Sequence, residues 1–422
     1  MSTALVAGTM IGSGIFLLPA SLAPFGSLSI GGWLFTTLGA VLLALTLGRL
    51  SRRIPQSGGP YVYTREAFGP LAGFLVGWGY WIAIVTGTAA VAVALVGYLG
   101  VFFPGLLSSP LISALAALAF IWLIIGINAR GLQSLGRVQL WTTVLKILPI
   151  LLVVLAGVMY FEVDYFQPPV GVEISTFSVI TASATLTFWS FIGLESTTVS
   201  AESIANPKRN VPLSTTLGVL IVGFLYISGT VSVMGLLPNG ELASSTAPFA
   251  DAAHSAFGPW ASKFVAVGAA ISCLGALNGM IFVQGQIPFV FARDGLFPPS
   301  FSRLSAGGTP IQSFLLSGVL ITLFLSFNYS DSLVDVFTFI ILVSTLSVLL
   351  PFALSALAEI KFLLGERGSV PVGVWFRSLL IAGLALAYSL WAIVGSGSKA
   401  IIWGWLLLLV GALFYFWMKR KQ

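Results

Sequence analysis

Gly12, Ser13 and Gly14 interrupt an otherwise apolar run, GTMIGSGIFLLPASLAPFG at 8–26, and such a break can do chemistry. A lipid-spanning helix must satisfy its own backbone hydrogen bonds, so a break is tolerated only where protein or a polar cavity takes over the freed groups. The free N-terminal half-helix end offers N–H groups and about half a positive charge to a carboxylate, and carbonyls at a C-terminal end suit an ammonium. Glycine admits a ligand to the backbone and Ser13 adds a hydroxyl. The competing reading is a small-xxx-small packing face formed by Gly8 and Gly12.

A second break, TLTFWSFIGLESTTVSAE at 185–202, contains Trp189, Ser190, Ile192, Gly193 and Glu195. Trp189 beside it reads either as a packing aromatic or as a lid over a bound solute. Glu195 and Lys146 are intramembrane charges, each costing about 2.5–3.5 kcal/mol at a helix centre. Glu195 is either a satisfied buried carboxyl or a protonatable gate. Lys146, in VQLWTTVLKILP, either snorkels or serves as an internal ammonium in place of a cation.

The elements that must position these residues are apolar runs of about 20 residues, enough for a hydrocarbon core of about 30 Å. They fall at roughly 3–24, 28–50, 71–101, 109–128, 138–160, 177–201, 212–237, 258–290, 311–328, 333–358, 376–395 and 400–418. The fold class is therefore an all-α membrane protein with twelve transmembrane helices. The third and eighth runs are long enough to require tilt or extension beyond the lipid. The breaks lie in helices 1 and 6, five helices apart, as two inverted five-helix repeats would place them. Those repeats cover about 3–160 and 177–358, with peripheral helices at about 376–418, in one domain over 1–422. The segment 51–69 reads as a short interfacial helix, either an orienting loop or a gate.

Composition agrees: 57% of the 422 residues are apolar and 8% charged, against about 25% charged in soluble chains. The net charge of +6 is scattered singly between spans, which argues against nucleic acid. With the N-terminus cytoplasmic, all but Lys146, Lys263 and Lys399 of the nineteen lysines and arginines fall inside, while Glu162, Asp164, Glu173, Glu241 and Asp251 fall outside. Both termini are then cytoplasmic. Cys273 and His254 are each the sole residue of their type, so intrachain disulfides, metal sites and Cys/His catalysis are not expected, nor is a cofactor. Cys273 reads as a small buried apolar residue and His254 as a solvated one. The chain enters an apolar helix almost at Met1, without a secretory signal, and reads as trimmed or naturally short at its start.

The stretches GTMIGSGIFLLPASLAPFG, SGGPYVYTREAFGP, TFWSFIGLESTTVSAESIANPKRNVP, CLGALNGM and ARDGLFPP resemble the basic amino acid/polyamine antiporter group of the amino acid/polyamine/organocation superfamily, and within it the arginine/agmatine antiporters. The resemblance implies two inverted repeats plus two peripheral helices, alternating access, often a homodimer, and a place in the bacterial inner membrane among lipids. It places Met10, Ser13 and Gly14 around the substrate carboxylate and amino group, and Trp189, Ser190 and Ile192 at the amino end with Trp189 as near gate. It places Tyr80, Glu195 and Phe352 at the outer gate, and Ala83, Ile84, Thr88 and Ser344 along the side-chain pocket. Where those antiporters carry a guanidinium-stacking Trp, this chain has Met280; Thr9 and Thr88 replace asparagines, and Phe352 a tyrosine. Lys146 resembles the fifth-helix lysine of proton-coupled and exchanging relatives, which implies that sodium is not coupled.

The expected function is a sodium-independent amino acid transporter working as an exchanger, not an enzyme. Lacking HExxH, GxSxG and paired facing aspartates, the chain shows no intramembrane enzyme motif. The alternatives are a proton-coupled amino acid or polyamine symporter using Lys146 or Glu195, and an amino acid sensor that moves nothing.

Overall fold

The computed structural model describes residues 2–130, 135–167, 175–199, 201, 204–305, 308–326, 332–369 and 371–420. Glu173 and Lys421, which entered the charge count, lie outside the described residues, as do the side chains of Arg137 and Lys399. Every described regular element is helical: α1 (Ser2–Met10), α2 (Ser13–Leu22), α3 (Ser29–Arg53), α4 (Pro60–Phe68), α5 (Pro70–Gly100), α6 (Pro110–Ala129), α7 (Leu135–Tyr160), α8 (Thr176–Phe188) and α9 (Ser196–Val199) in the first part of the chain. They continue as α10 (Pro207–Leu236), α11 (Asn239–Ser244), α12 (Pro248–Phe257), α13 (Pro259–Arg293), α14 (Ile311–Ser326), α15 (Leu333–Gly365), α16 (Val372–Gly395) and α17 (Gly397–Lys419).

Two of the twelve expected spans are built from halves. α1 and α2 form the first, parted at Ile11 and Gly12; α8 and α9 form the sixth, parted by a tight turn at Trp189–Phe191 and an extended Ile192. α4, between Arg53 and Pro70, is the short helix expected within 51–69. α11 and α12 are short helices between α10 and α13, and each carries an acidic residue in its first turn. α5 and α13, at 31 and 35 residues, exceed a bilayer's need as expected, and α10 and α15, at 30 and 33, do so too.

α5 is the central post. It is buried nearly throughout and packs against α15, α13 and α6. α3 packs on α10 and α8, and α10 packs on α3 and α1. α15 in turn packs on α5, as α7 does on α13. α16 leans on α15 and α3, and α17 on α5 and α15, leaving Trp403, Trp405, Leu409, Leu413 and Phe416 exposed to the apolar surroundings a membrane supplies.

Small residues set the close approaches among these helices, since the helices share an apolar solvent and gain from packing rather than from water exclusion. At the end remote from α4, Tyr98 of α5 donates to the Phe16 carbonyl at 2.6 Å and accepts from the Phe249 amide at 3.3 Å. That hydroxyl ties α5, α2 and α12 together, and the Phe16 ring meets Tyr98 and Phe249 edge-on.

Candidate functional site

The two breaks meet at Gly14 and Ser190. A methyl group on Gly14 would lie 2.5 Å from Ser190 Oγ and 3.2 Å from its Cα, so only glycine allows this approach. Gly12 takes a backbone conformation that is neither helical nor extended, and a methyl there would touch Ala276 at an ordinary 3.4 Å. Close packing is therefore the work of Gly14 against α8's end. On the other strand of the site, Gly193 has φ +108, a region side chains rarely adopt, and lies against Thr9. The Thr9 hydroxyl sits 3.2 Å from both Gly193 O and Ser196 Oγ, joining α1 to α9.

The freed backbone groups divide by end. The carbonyls at the close of α1 are engaged by protein: Tyr226 donates to Met10 O at 2.7 Å, Lys146 Nζ donates to Gly8 O and Ile11 O at 3.1 Å each, and Ser272 donates to Ile11 O at 3.4 Å. Lys146 thus does not snorkel; it is fully buried, with its chain against Gly275. The expected use of α1's exposed carbonyls for a substrate ammonium is narrowed accordingly. α2 starts differently, with no side-chain cap at Gly12 and its first-turn N–H groups at the break. Ser13 Oγ and Ser190 Oγ are both buried without a hydrogen-bond partner. Buried hydroxyls of this kind are uncommon unless a ligand or ion completes them.

Trp189 is 4% exposed, and its six-membered ring rests on Gly87 of α5, where a methyl would stand 2.5 Å from Cη2. The same spot lies 3.4 Å from Ser344 Oγ, which donates to Ala83 O at 2.7 Å. Ala83, Ile84, Thr88, Ser344 and Ile192 are all buried, and Met280 is partly buried on α13.

Glu195 is fully buried; Oε2 accepts from the Gly193 N–H at 3.1 Å, and Oε1 has no partner. The Tyr80 hydroxyl faces this carboxylate. Among the described residues no lysine or arginine pairs with it; the two ion pairs are Arg53 with Glu366 and Arg65 with Asp294. Glu195 follows the break and leads into α9, where Val199 O accepts from the Gly58 N–H just before α4, and Tyr80 lies in the α4 half of α5. Both therefore lie on the α4 side of the breaks. The Phe352 ring meets Phe188 edge-on, 5.9 Å between centroids.

The two ends of the bundle differ. A cavity of about 360 Å³ lies above the breaks, lined by Ser21, Phe25, Leu186, Asp335, Thr338 and Leu342, on the side where Asn239 of α11 holds Ala23 O. The α4 end carries the contacts of Tyr61 with Asp294 at 2.8 Å, Arg65 with Asp294, Arg53 with Glu366 at 2.7 Å, and Lys361 with Ala67 O. Burial, reinforced by the Asp294 hydrogen bond, pushes Tyr61 up to about 12, so it remains a donor.

Three participants were not singled out in the sequence. Gly87, the bed for Trp189, gives no signal among so many glycines. Tyr226, packed on Trp33 and Phe191, and Gln284, fully buried on α13, are polar groups inside apolar spans, and that alone could have marked them.

A family model described as amino acid permease matches residues 1–422. The cadaverine/lysine antiporter of Escherichia coli (strain K12) is 33% identical over 98% of this chain and 93% of its own. A putative arginine/ornithine antiporter of Bacillus subtilis is 32% identical, covering 99% and 96%. The putrescine transporter PotE of Haemophilus influenzae is 30% identical, covering 99% and 96%. Matched along its whole length and to relatives of this kind, the chain belongs to the amino acid permease family, as a multi-pass membrane transporter of the exchange type and not an enzyme.

Proposed function

We propose that this transporter holds the α-carboxyl and α-amino groups of an amino acid at its two helix breaks and exchanges such substrates without sodium. The observation that carries the reading is the pair Ser13 and Ser190, buried, unpartnered and brought together by the contact of Gly14 on Ser190. A carboxylate here accepts from the first-turn N–H groups of α2 and from Ser13, helped by the positive end of the helix dipole. The amino group then lies at the α8 end beside Ser190 and Ile192, and Trp189 covers it.

Sodium independence rests on Lys146. Its ammonium occupies the carbonyls of Gly8 and Ile11, a pair of hard oxygen ligands of the sort an alkali ion would otherwise need. Inverted repeats over about 3–160 and 177–358 are supported by the packing, in which α3 on α8 mirrors α10 on α1, and α5 on α15 mirrors α13 on α7. With the termini cytoplasmic in a bacterial inner membrane, the 360 Å³ cavity faces outwards and the α4 end is the closed inner gate.

The relatives' names include the amino acids lysine, arginine and ornithine and the amines cadaverine and putrescine, which supports a substrate drawn from amino acids and polyamines. Binding to the purified protein tests the assignment of the carboxylate. Free amino acids should stabilise it against heat in a concentration-dependent way, and their methyl esters should not. Equal stabilisation by the esters refutes the role given to α2.

A second reading, proton-coupled symport, is favoured by the unpartnered Oε1 of Glu195. An inward proton gradient should then drive accumulation into empty vesicles, and Glu195→Gln should abolish it. Accumulation undiminished in that variant removes Glu195 from the coupling.

A further inference from the structure

α3 and α16 meet in an antiparallel register. Phe35 lies on Trp391, 4.6 Å between ring centroids, and a methyl on Gly39 would stand 2.5 Å from the Tyr388 ring. Ten or eleven residues further towards the α4 end, the same register sets Arg49 opposite Arg377, a rise of ~15 Å. Arg377 is accordingly among the charges that act on Arg49, with Arg52 and Glu359. Glu359 is the one carboxylate of this group; it is buried and shared with Arg53, which itself pairs with Glu366. Arg52 and Arg377 are exposed, and among the described residues neither pairs with a carboxylate. The Nε of Arg52 donates to Lys208 O at 3.1 Å, which leaves its two terminal nitrogens.

The surface around these cations is apolar. Leu38, Leu42 and Leu45 lead along α3 to Arg49 and Arg52 at helical spacing, exposed or half-buried. Leu380 and Leu384 continue the exposed face of α16 from Arg377 at i+3 and i+7, and Val374 and Phe376 before it are exposed too. A guanidinium set within lipid-facing apolar surface is costly without an anion. We infer that an anionic phospholipid binds between α3 and α16, its phosphodiester held by Arg52 and Arg377 beside Arg49 and an acyl chain laid along the leucines. Guanidinium groups match phosphate oxygens bidentately. The ~15 Å between the arginines and the Gly39 contact is half of a hydrocarbon core about 30 Å thick, the depth of one leaflet. This site shares no residue with the helix breaks.

Native mass spectrometry of the detergent-purified protein, titrated with dioleoylphosphatidylglycerol or dioleoylphosphatidylcholine, tests the assignment. The phosphatidylglycerol should bind tenfold or more tightly, and Arg52→Gln and Arg377→Gln should each weaken it about fivefold, as each arginine near a lipid headgroup allows. Arg377→Lys keeps the charge and should lose less. Arg130→Gln, which removes an exposed arginine at the end of α6, should change nothing. Equal binding of the two lipids, unchanged phosphatidylglycerol binding in Arg377→Gln, or an equal loss in Arg130→Gln overturns the inference. Displacement of the phosphatidylglycerol by millimolar inorganic phosphate would mark a site for free anions and overturn it as well.

Discussion

The Lys146 ammonium lies 3.1 Å from the Gly8 carbonyl and the same distance from that of Ile11, so one side chain of α7 finishes the end of α1 that the break leaves open. Lys146→Ala would take the side-chain donor from the buried Gly8 carbonyl and leave Ile11 O with Ser272 alone. At about 1–3 kcal/mol for an unsatisfied group, the variant should lose roughly 1–3 kcal/mol of stability, and exchange should fall by at least tenfold. Denaturation and proteoliposome assays measure the two effects. A fully stable, fully active variant would show that the break needs no such filling.

Gly14→Ala should reduce exchange by tenfold or more, because the new methyl meets Ser190 Oγ and Cβ at 2.5 and 3.1 Å. Ser190→Gly in the same chain removes both atoms and should restore part of the stability lost, as coupled neighbours do. Additive losses in the double variant would mean that the two breaks do not touch during the cycle.

Gly87→Ala should push Trp189 off α5, costing about 1–3 kcal/mol as overpacking and lowering exchange. Replacing Trp189 by Leu, which does not reach Gly87, should leave the Gly87→Ala change nearly harmless to stability. Thermal unfolding of the three variants decides this.

Tyr61 gives a pH prediction. Its value in the folded protein is raised to about 12 by burial and by Asp294, above the ordinary value of 10.0. The folded state therefore holds the phenol proton where the unfolded state has released it, so stability is complete below about pH 10 and falls between there and about 12. Tyr61→Phe should remove that part of the alkaline loss. An unchanged alkaline profile would show that Tyr61 does not hold the gate through Asp294.

Much of this arrangement was readable in the residues. Gly12–Gly14 and Trp189–Glu195 announced broken helices because apolar spans do not spend polar and small residues without a reason, and the short helix near Pro60 showed as mixed Pro, Gly and aromatic composition. Sidedness around a break was not readable from type alone. Glu195 and Tyr80 belong to the α4 side because of where α9 runs, a matter of three-dimensional path. Nor could Lys146 be distinguished from a snorkelling lysine without the carbonyls it reaches. Gly87 became informative only once the Trp189 ring was seen to occupy the space its missing side chain leaves.

The central claim is sodium-independent exchange at the paired breaks, and counterflow tests it most directly. Proteoliposomes made and assayed in sodium-free buffer should take up labelled lysine when loaded with unlabelled lysine and take up little when empty. Ser190→Gly should weaken that uptake. Equal uptake by loaded and empty vesicles, or uptake that appears only with a sodium gradient, would contradict the account.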